Sequence, residues 1–201
     1  MRLIGLTGGI AAGKSTIGRR LAGHGAIRID ADELAREAVA PGSPGLARVR
    51  ERFGAGLMRE DGALDRAALG AIVFGDAAAL EDLNAIVHPE VRRLFRERVE
   101  LARADDPDAV VVYEVPLLVE TDARDEPWDL IVVAEADAET RVSRMTSLRG
   151  MTPEDARQRI SRQGSDAQRR AVADIVIDTS GSEAETLAQT DRLWERLINR
   201  G

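Results

Sequence analysis

Gly8-Gly9-Ile10-Ala11-Ala12-Gly13-Lys14-Ser15-Thr16 decides the fold of this chain. A short apolar segment, Arg2–Thr7, precedes it and stops at a glycine pair; from Lys14 to about Ala22 a helical pattern follows. Strand, glycine-rich turn and helix form the context in which such a glycine-lysine-serine pattern works as a phosphate cradle, the P-loop. The glycines allow backbone conformations closed to residues with a Cβ, so that amide N–H groups converge on phosphate oxygens. The helix starting near Lys14 aims the positive end of its dipole at the same anion. Lys14 is expected to bridge the β- and γ-phosphates of ATP, and the Ser15 hydroxyl to ligate Mg²⁺. Gly8, Gly9, Ala11, Ala12, Gly13, Lys14, Ser15 and Thr16 are the expected ATP-binding residues.

The rest of the composition narrows the class. With 201 residues, 44% hydrophobic and 31% charged, the chain suits one globular domain with room for a small insertion. A net charge of -7 argues against nucleic acid as a partner. The absence of cysteine excludes disulfide scaffolds, thiolate zinc sites and cysteine nucleophiles. Apolar runs such as Ala109–Tyr113 and Leu130–Ala134 are too short to span a bilayer, and Met1–Leu6 leads into a glycine turn rather than a secretory apolar stretch. A soluble, cytoplasmic protein with small-molecule partners is expected. Lys14 is the sole lysine among 28 basic residues, the others being arginine. An ammonium is a compact point charge that a guanidinium does not replace between phosphates. The same count disfavours a regulatory GTPase, whose guanine-reading element needs a second lysine.

Along the chain, Ala26–Asp30, Ala109–Tyr113, Leu130–Ala134 and Ala173–Ile177 are further expected strands, alternating with helical stretches. That alternation predicts an α/β fold, a doubly wound parallel sheet of the P-loop NTPase type. Between about Leu34 and Arg103 no strand pattern appears, and Leu69, Ile72, Val73 and Leu80, Leu83, Ile86, Val87 recur at helical spacing. Residues 36–105 are therefore expected to form a helical insertion, with 1–35, 106–140 and 171–201 as the nucleotide-binding core. Segment 141–170 carries eight arginines against three acids, a local charge of +5, and is the expected arginine-rich lid. A closing helix over Glu183–Asn199 is expected to bury Leu187, Leu193, Trp194, Leu197 and Ile198. Trp128 and Trp194 read as packing residues.

A small chain with an arginine-rich helical segment favours a small-molecule kinase, in which lid arginines reach the transferring phosphoryl group. Several segments resemble one family in its own order, dephospho-CoA kinase. They are the loop; Asp30-Ala31-Asp32-Glu33-Leu34-Ala35-Arg36-Glu37 with Pro41-Gly42; Leu83–Pro89 with its His-Pro pair; and Val115-Pro116-Leu117-Leu118-Val119-Glu120. Arg144, Arg149-Gly150-Met151, Ile160, Gln163 and Ala173–Gly181 continue the series. The resemblance implies transfer of the ATP γ-phosphoryl group to the ribose 3′-hydroxyl of dephospho-CoA, the last step of coenzyme A biosynthesis. It also implies a helical CoA-binding insertion and a mobile lid. A kinase of another small hydroxyl or nucleotide acceptor, and a nucleotide-binding regulator without an acceptor, are the alternatives. Two positions depart from the family pattern: Ala11-Ala12 stand where Gly-Ser is usual, and Thr179 where Asn is usual.

Within that frame Asp32, just beyond the carboxyl end of the second strand, is the expected group to orient and deprotonate the acceptor hydroxyl. A capping arrangement of Asp30 and Glu33, with Asp32 a first-turn acid, is the bland alternative. Arg144 and Arg149 are the lid candidates for phosphate contact and catalysis, while Arg157, Arg159 and Arg162 read as a solvated face. Arg36 and His88 are implied substrate contacts. Glu114, ending the Ala109–Tyr113 strand, is a candidate carboxylate for the Mg²⁺ water shell.

Overall fold

The computed structural model describes residues 1–119 and 126–199. Glu120, the last residue of the Pro-Leu-Leu segment, lies outside the described residues. Contacts divide the chain into two units, one of Met1–Asp30 with Ala102–Gly201 and the other of Ala31–Leu101.

The first unit is built on five strands: β1 (Arg2–Gly8), β2 (Ile27–Asp30), β3 (Val110–Glu114), β4 (Leu130–Glu135) and β5 (Ile175–Asp178). All pair in parallel, in the order β2-β3-β1-β4-β5. The order leaves β1 between β3 and β4, with Leu6 opposite Glu114 on one side and Val132 on the other. Parallel strands covered on both faces read as continuous apolar runs, and all five residues of β3 are buried. Alternate residues serve opposite faces. Ile4, Leu6, Val110, Val112, Val132 and Ala134 meet Ile17 and Leu21 of α1 (Lys14–Gly23) and Leu193 and Leu197 of α9 (Glu183–Ile198).

Helix α9 corrects one expectation. Its buried stripe is Thr186, Thr190, Leu193 and Leu197, while Ile198 is 53% exposed. One residue past Leu197 rotates a helical side chain by about 100°, off a stripe already filled at that turn. The threonines are admitted because each hydroxyl can bond back into its own helix, as Thr190 does to Thr186 O at 2.8 Å. Trp194 packs on the core and stacks on His24 of the α1 C-cap at 5.6 Å. Trp128 lies beside Tyr113.

The lid segment forms α6 (Ala138–Arg149), α7 (Pro153–Ser161) and α8 (Asp166–Val172) in this unit. Asp137, Thr152 and Ser165 cap the three helices, each accepting a backbone N–H from the first turn. Val142, Met145 and Ala156 form a small cluster there, with Ile10, Ala11, Met151 and Ile160 against it.

The second unit holds α2 (Ala31–Glu37), α3 (Pro44–Phe53), α4 (Arg66–Val73) and most of α5 (Ala77–Asp105). Ser43 and Asp65 cap α3 and α4, and Pro44 takes the first turn of α3, where its missing N–H is harmless. The cluster here unites Val39, Leu46, Val49, Leu57, Leu64, Leu69, Val73 and Ala79. Ile72 and Leu80 face outward at 41% and 42% exposure. Helix α5 does not end before Pro89 but runs through it. Leu83, Ile86 and Val87 on one side of the proline and the ion pairs of Glu90 to Arg48 and Arg93 just past it hold both halves in packed positions. Among the described residues no helix is long and apolar enough to cross a membrane.

Glu114 is a buried charge that the fold must house. It is 1% exposed, and its Oε1 accepts from Arg28 Nε at 2.5 Å, while Arg28 Nη2 reaches Asp30 at 2.7 Å. Gly18 in α1 makes room for it, because a Cβ there would lie 1.9 Å from Glu114 Oε1. Gly→Ala inside a helix ordinarily stabilises by about 1 kcal/mol. Gly18→Ala should instead destabilise by roughly 1–3 kcal/mol, since a carboxylate pinned by Arg28 has to give way. A urea midpoint at or above that of the wild type would show that the site is not so tightly filled.

Candidate active site

Strand β1 delivers the chain at the carboxyl edge of the sheet between β3 and β4, the edge at which open α/β sheets commonly bind ligands. Residues Gly9–Gly13 turn there before α1 begins. Gly13 adopts φ 81°, ψ 10°, a left-handed conformation that glycine takes without steric penalty. Ala12 N closes onto Gly9 O at 3.0 Å, and Thr16 N and Ile17 N return to Gly13 O. Helix α1 starts with no side-chain cap and no acid in its first turn. Its leading N–H groups, with the dipole behind them, are thus presented to an anion. Lys14, Ser15 and Thr16 occupy that first turn, with the Ser15 side chain exposed.

The loop is fastened from outside. Ile10 N donates to Gln163 Oε1 at 2.7 Å, just past the end of α7. Arg144 Nη1 donates to Ala11 O at 3.2 Å and lies 3.3 Å from Thr179 Oγ1, while Nη2 donates to Thr179 O. The Thr179 hydroxyl lies 2.8 Å from Ala12 O and 3.0 Å from Glu135 O. Thr179, 1% exposed, therefore joins the loop to the ends of β4 and β5 and to a lid arginine. A threonine next to a glycine motif carries no sign of such a role, because its three partners are far apart in sequence.

Ala11 carries φ 59°, the one positive value at a non-glycine position among the described residues. The left-handed region costs an L-residue about 1–2 kcal/mol. Two contacts hold it there: its carbonyl takes the Arg144 guanidinium, and its methyl packs against the cluster of Val142, Met145 and Ala156. Ala12, 2% exposed, points into the main core.

The arginines of the lid segment separate by partner. Arg170 pairs with Glu135 and Arg157 with Glu139, both acids lying outside the segment, which its own count of charges had not included. Arg149 is exposed in the last turn of α6. Arg141 and Arg169 are buried and share Asp166, at 3.0 and 2.6 Å. Arg141 is one of eight in the segment's sequence; burial together with its unpaired Nε and Nη1 sets it apart.

The remaining candidates stand as follows. Glu114 lies at the end of β3, committed to Arg28 as described above. In the second unit, Asp32 and Arg36 are exposed one turn apart on α2, which follows β2 without a connecting loop. His88 is exposed within α5. Among the described residues no group of three or more acidic or histidine side chains could hold a metal ion.

The family model for dephospho-CoA kinase matches residues 2–185. The chain belongs to the dephospho-CoA kinase family. The dephospho-CoA kinase of Leifsonia xyli subsp. xyli is 58% identical over 197 residues, 98% of this chain and 99% of the relative. Among solved structures, TT1252 from Thermus thermophilus is 34% identical with a TM-score of 0.79, covering 100% of this chain and 98% of that one. Dephospho-CoA kinase from Campylobacter jejuni, at 23% identity and TM-score 0.69 over 98% of this chain and 97% of that one, shares the fold. Like the dephospho-CoA kinases it resembles, the chain is a P-loop kinase. The structure gives its Thr179 a hydroxyl that joins three backbone segments.

Thr179→Val, which keeps the shape and removes the hydroxyl, should lower stability by about 1–2 kcal/mol, while Thr179→Ser retains most of it. Chemical denaturation of both proteins measures this. Equal midpoints for the valine variant and the wild type would mean that the hydroxyl secures nothing.

Proposed function

We propose that this chain phosphorylates the ribose 3′-hydroxyl of dephospho-CoA with ATP, yielding CoA and ADP. The observation that carries the proposal is the match to the dephospho-CoA kinase family over nearly the full length. The uncapped α1 N-terminus behind the glycine loop supports it independently.

In this reading the loop amides of Gly9–Gly13 and the first turn of α1 hold the triphosphate, with Lys14 Nζ between the β- and γ-phosphates. Ser15 Oγ and phosphate oxygens would hold Mg²⁺, which when bound draws charge from the β- and γ-oxygens. Glu114, tied to Arg28, would act on that metal only through water. Asp32, two residues beyond the carboxyl end of β2, accepts the proton of the 3′-hydroxyl. The freed oxygen forms a bond to the γ-phosphorus, and the bond from that phosphorus to the β,γ-bridging oxygen breaks, so that ADP leaves. Arg36 and His88 contact the acceptor. Arg144 braces the loop from the position it holds, and Arg149 reaches the phosphates from the exposed end of α6. Such catalysis is positioning and charge neutralisation, with little covalent chemistry asked of the protein.

A coupled ADP-release assay tests the assignment. ADP should appear at a rate that rises steeply with dephospho-CoA and remains low without it. Phosphorylation of a nucleoside monophosphate in place of dephospho-CoA would replace this acceptor with another. Lys14→Ala should abolish transfer. Asp32→Asn should lower kcat by about two or more orders of magnitude with ATP affinity retained, through loss of the general base. An unchanged kcat would return Asp32 to the role of a first-turn helix acid.

A further inference from the structure

Arg141 is 3% exposed, and two of its three nitrogens, Nε and Nη1, have no hydrogen-bond partner. Buried guanidinium N–H groups left unpaired are costly, and native proteins rarely carry them without a reason. The third nitrogen, Nη2, is fixed by Asp166 at 3.0 Å. Asp166 in turn holds Arg169 Nη2 at 2.6 Å, so one carboxylate is shared by two buried guanidiniums. Both face the loop at Gly9. A Cβ built on that glycine would lie 2.3 Å from Arg141 Nη1 and 3.3 Å from Arg169 Nη2. The two guanidiniums thus stand where a side chain of the second loop residue would be, beside the turn that cradles phosphate.

We propose that Arg141 is a phosphate-contacting residue, its Nη1 donating to an oxygen of the terminal phosphate of ATP, with Asp166 and Arg169 as positioning residues. The proposal rests on the reading of the loop as an ATP site, but not on the identity of the acceptor. A guanidinium pinned through Nη2 suits this task, because its charge is permanent and its remaining N–H donors are held in one plane and one position. The arrangement also explains why the second loop residue is glycine: any Cβ there would displace the Arg141 guanidinium. Because the terminal phosphate is the group transferred, the contact strengthens as charge develops on its oxygens.

The test compares Arg141→Met with wild type, both as the full chain, using calorimetric binding of ATP and ADP with Mg²⁺ and no acceptor present. ATP affinity should fall by about tenfold or more, as a lost charge-assisted contact implies, while ADP affinity stays within about threefold. Turnover with acceptor should fall by about a hundredfold. The nucleotide-free variant should melt no lower than wild type, since methionine fills similar space without unpaired polar groups. Equal losses for ATP and ADP, or a lower melting temperature without nucleotide, would assign Arg141 a structural role and overturn the proposal. Should the methionine variant not fold, Arg141→Lys decides: it keeps charge but not the pinned planar donor, and a wild-type ratio of ATP to ADP affinity would also overturn it. Because no acceptor enters the binding arm, failure of wild type to use dephospho-CoA would sink the functional proposal alone.

Discussion

A loop that turns its amides toward an anion turns its carbonyls away, and those carbonyls must find donors. In this protein the donors come from the carboxyl-terminal third of the chain. Arg144 takes Ala11 O, and the Thr179 hydroxyl meets Ala12 O. In the opposite sense Gln163 receives the Ile10 N–H. Without these partners the loop would be a mobile glycine turn, and ordering it would draw on nucleotide binding energy. With them the anion site is preorganised. The same contacts tie the loop to α6, to the residue after β5 and to the segment after α7.

That connection accounts for the alanine pair. Glycine at position 11 would adopt φ 59° without strain, and alanine does so at about 1–2 kcal/mol. Part of that is offset by the methyl group, which joins the Val142–Met145–Ala156 cluster, since burying a methyl-sized group contributes on the order of 0.8 kcal/mol. A glycine would also be freer in the unfolded chain, which further narrows the gap. Ala12 needs no polar contact because it faces the core. The departure from the family pattern exchanges loop freedom for a direct apolar contact with the lid.

How much of this was legible in the sequence depends on the range of the interaction. The loop, its flanking strand and helix, and the strands β3 and β4 could be read because local spacing and β-branched runs determine them. The caps at Ser43, Asp65 and Ser182 follow the same local rules. The end of α5 could not be read from Pro89, because packing on both sides of the proline outweighs its intrinsic penalty of about 3 kcal/mol. Ile198 was assigned to the core by residue type, whereas the geometry of the stripe admitted two threonines. The site shows the same division. Lys14 and Ser15 are visible in the motif, while Thr179 and Arg141 acquire meaning only through neighbours distant in sequence.

The single lysine gains its explanation from what the arginines do. Arg144 spans two carbonyls, Arg98 and Arg20 each place two contacts on a carboxylate, and Arg28 bridges Glu114 and Asp30. Each is a planar fork fixed between acceptors whose positions the fold sets, and there the rigidity of guanidinium is an advantage. Lys14 follows Gly13 in the first turn of a helix whose own N–H groups, in the function proposed above, already face the phosphates. A fork at that point would compete with the amides for the same oxygens. An ammonium on a flexible stem can instead settle between two phosphates and follow the charge as it moves from one to the other. On the proposed function, a chain that uses arginine for every other cation therefore keeps lysine where the acceptor is not fixed by the fold and shifts during the reaction.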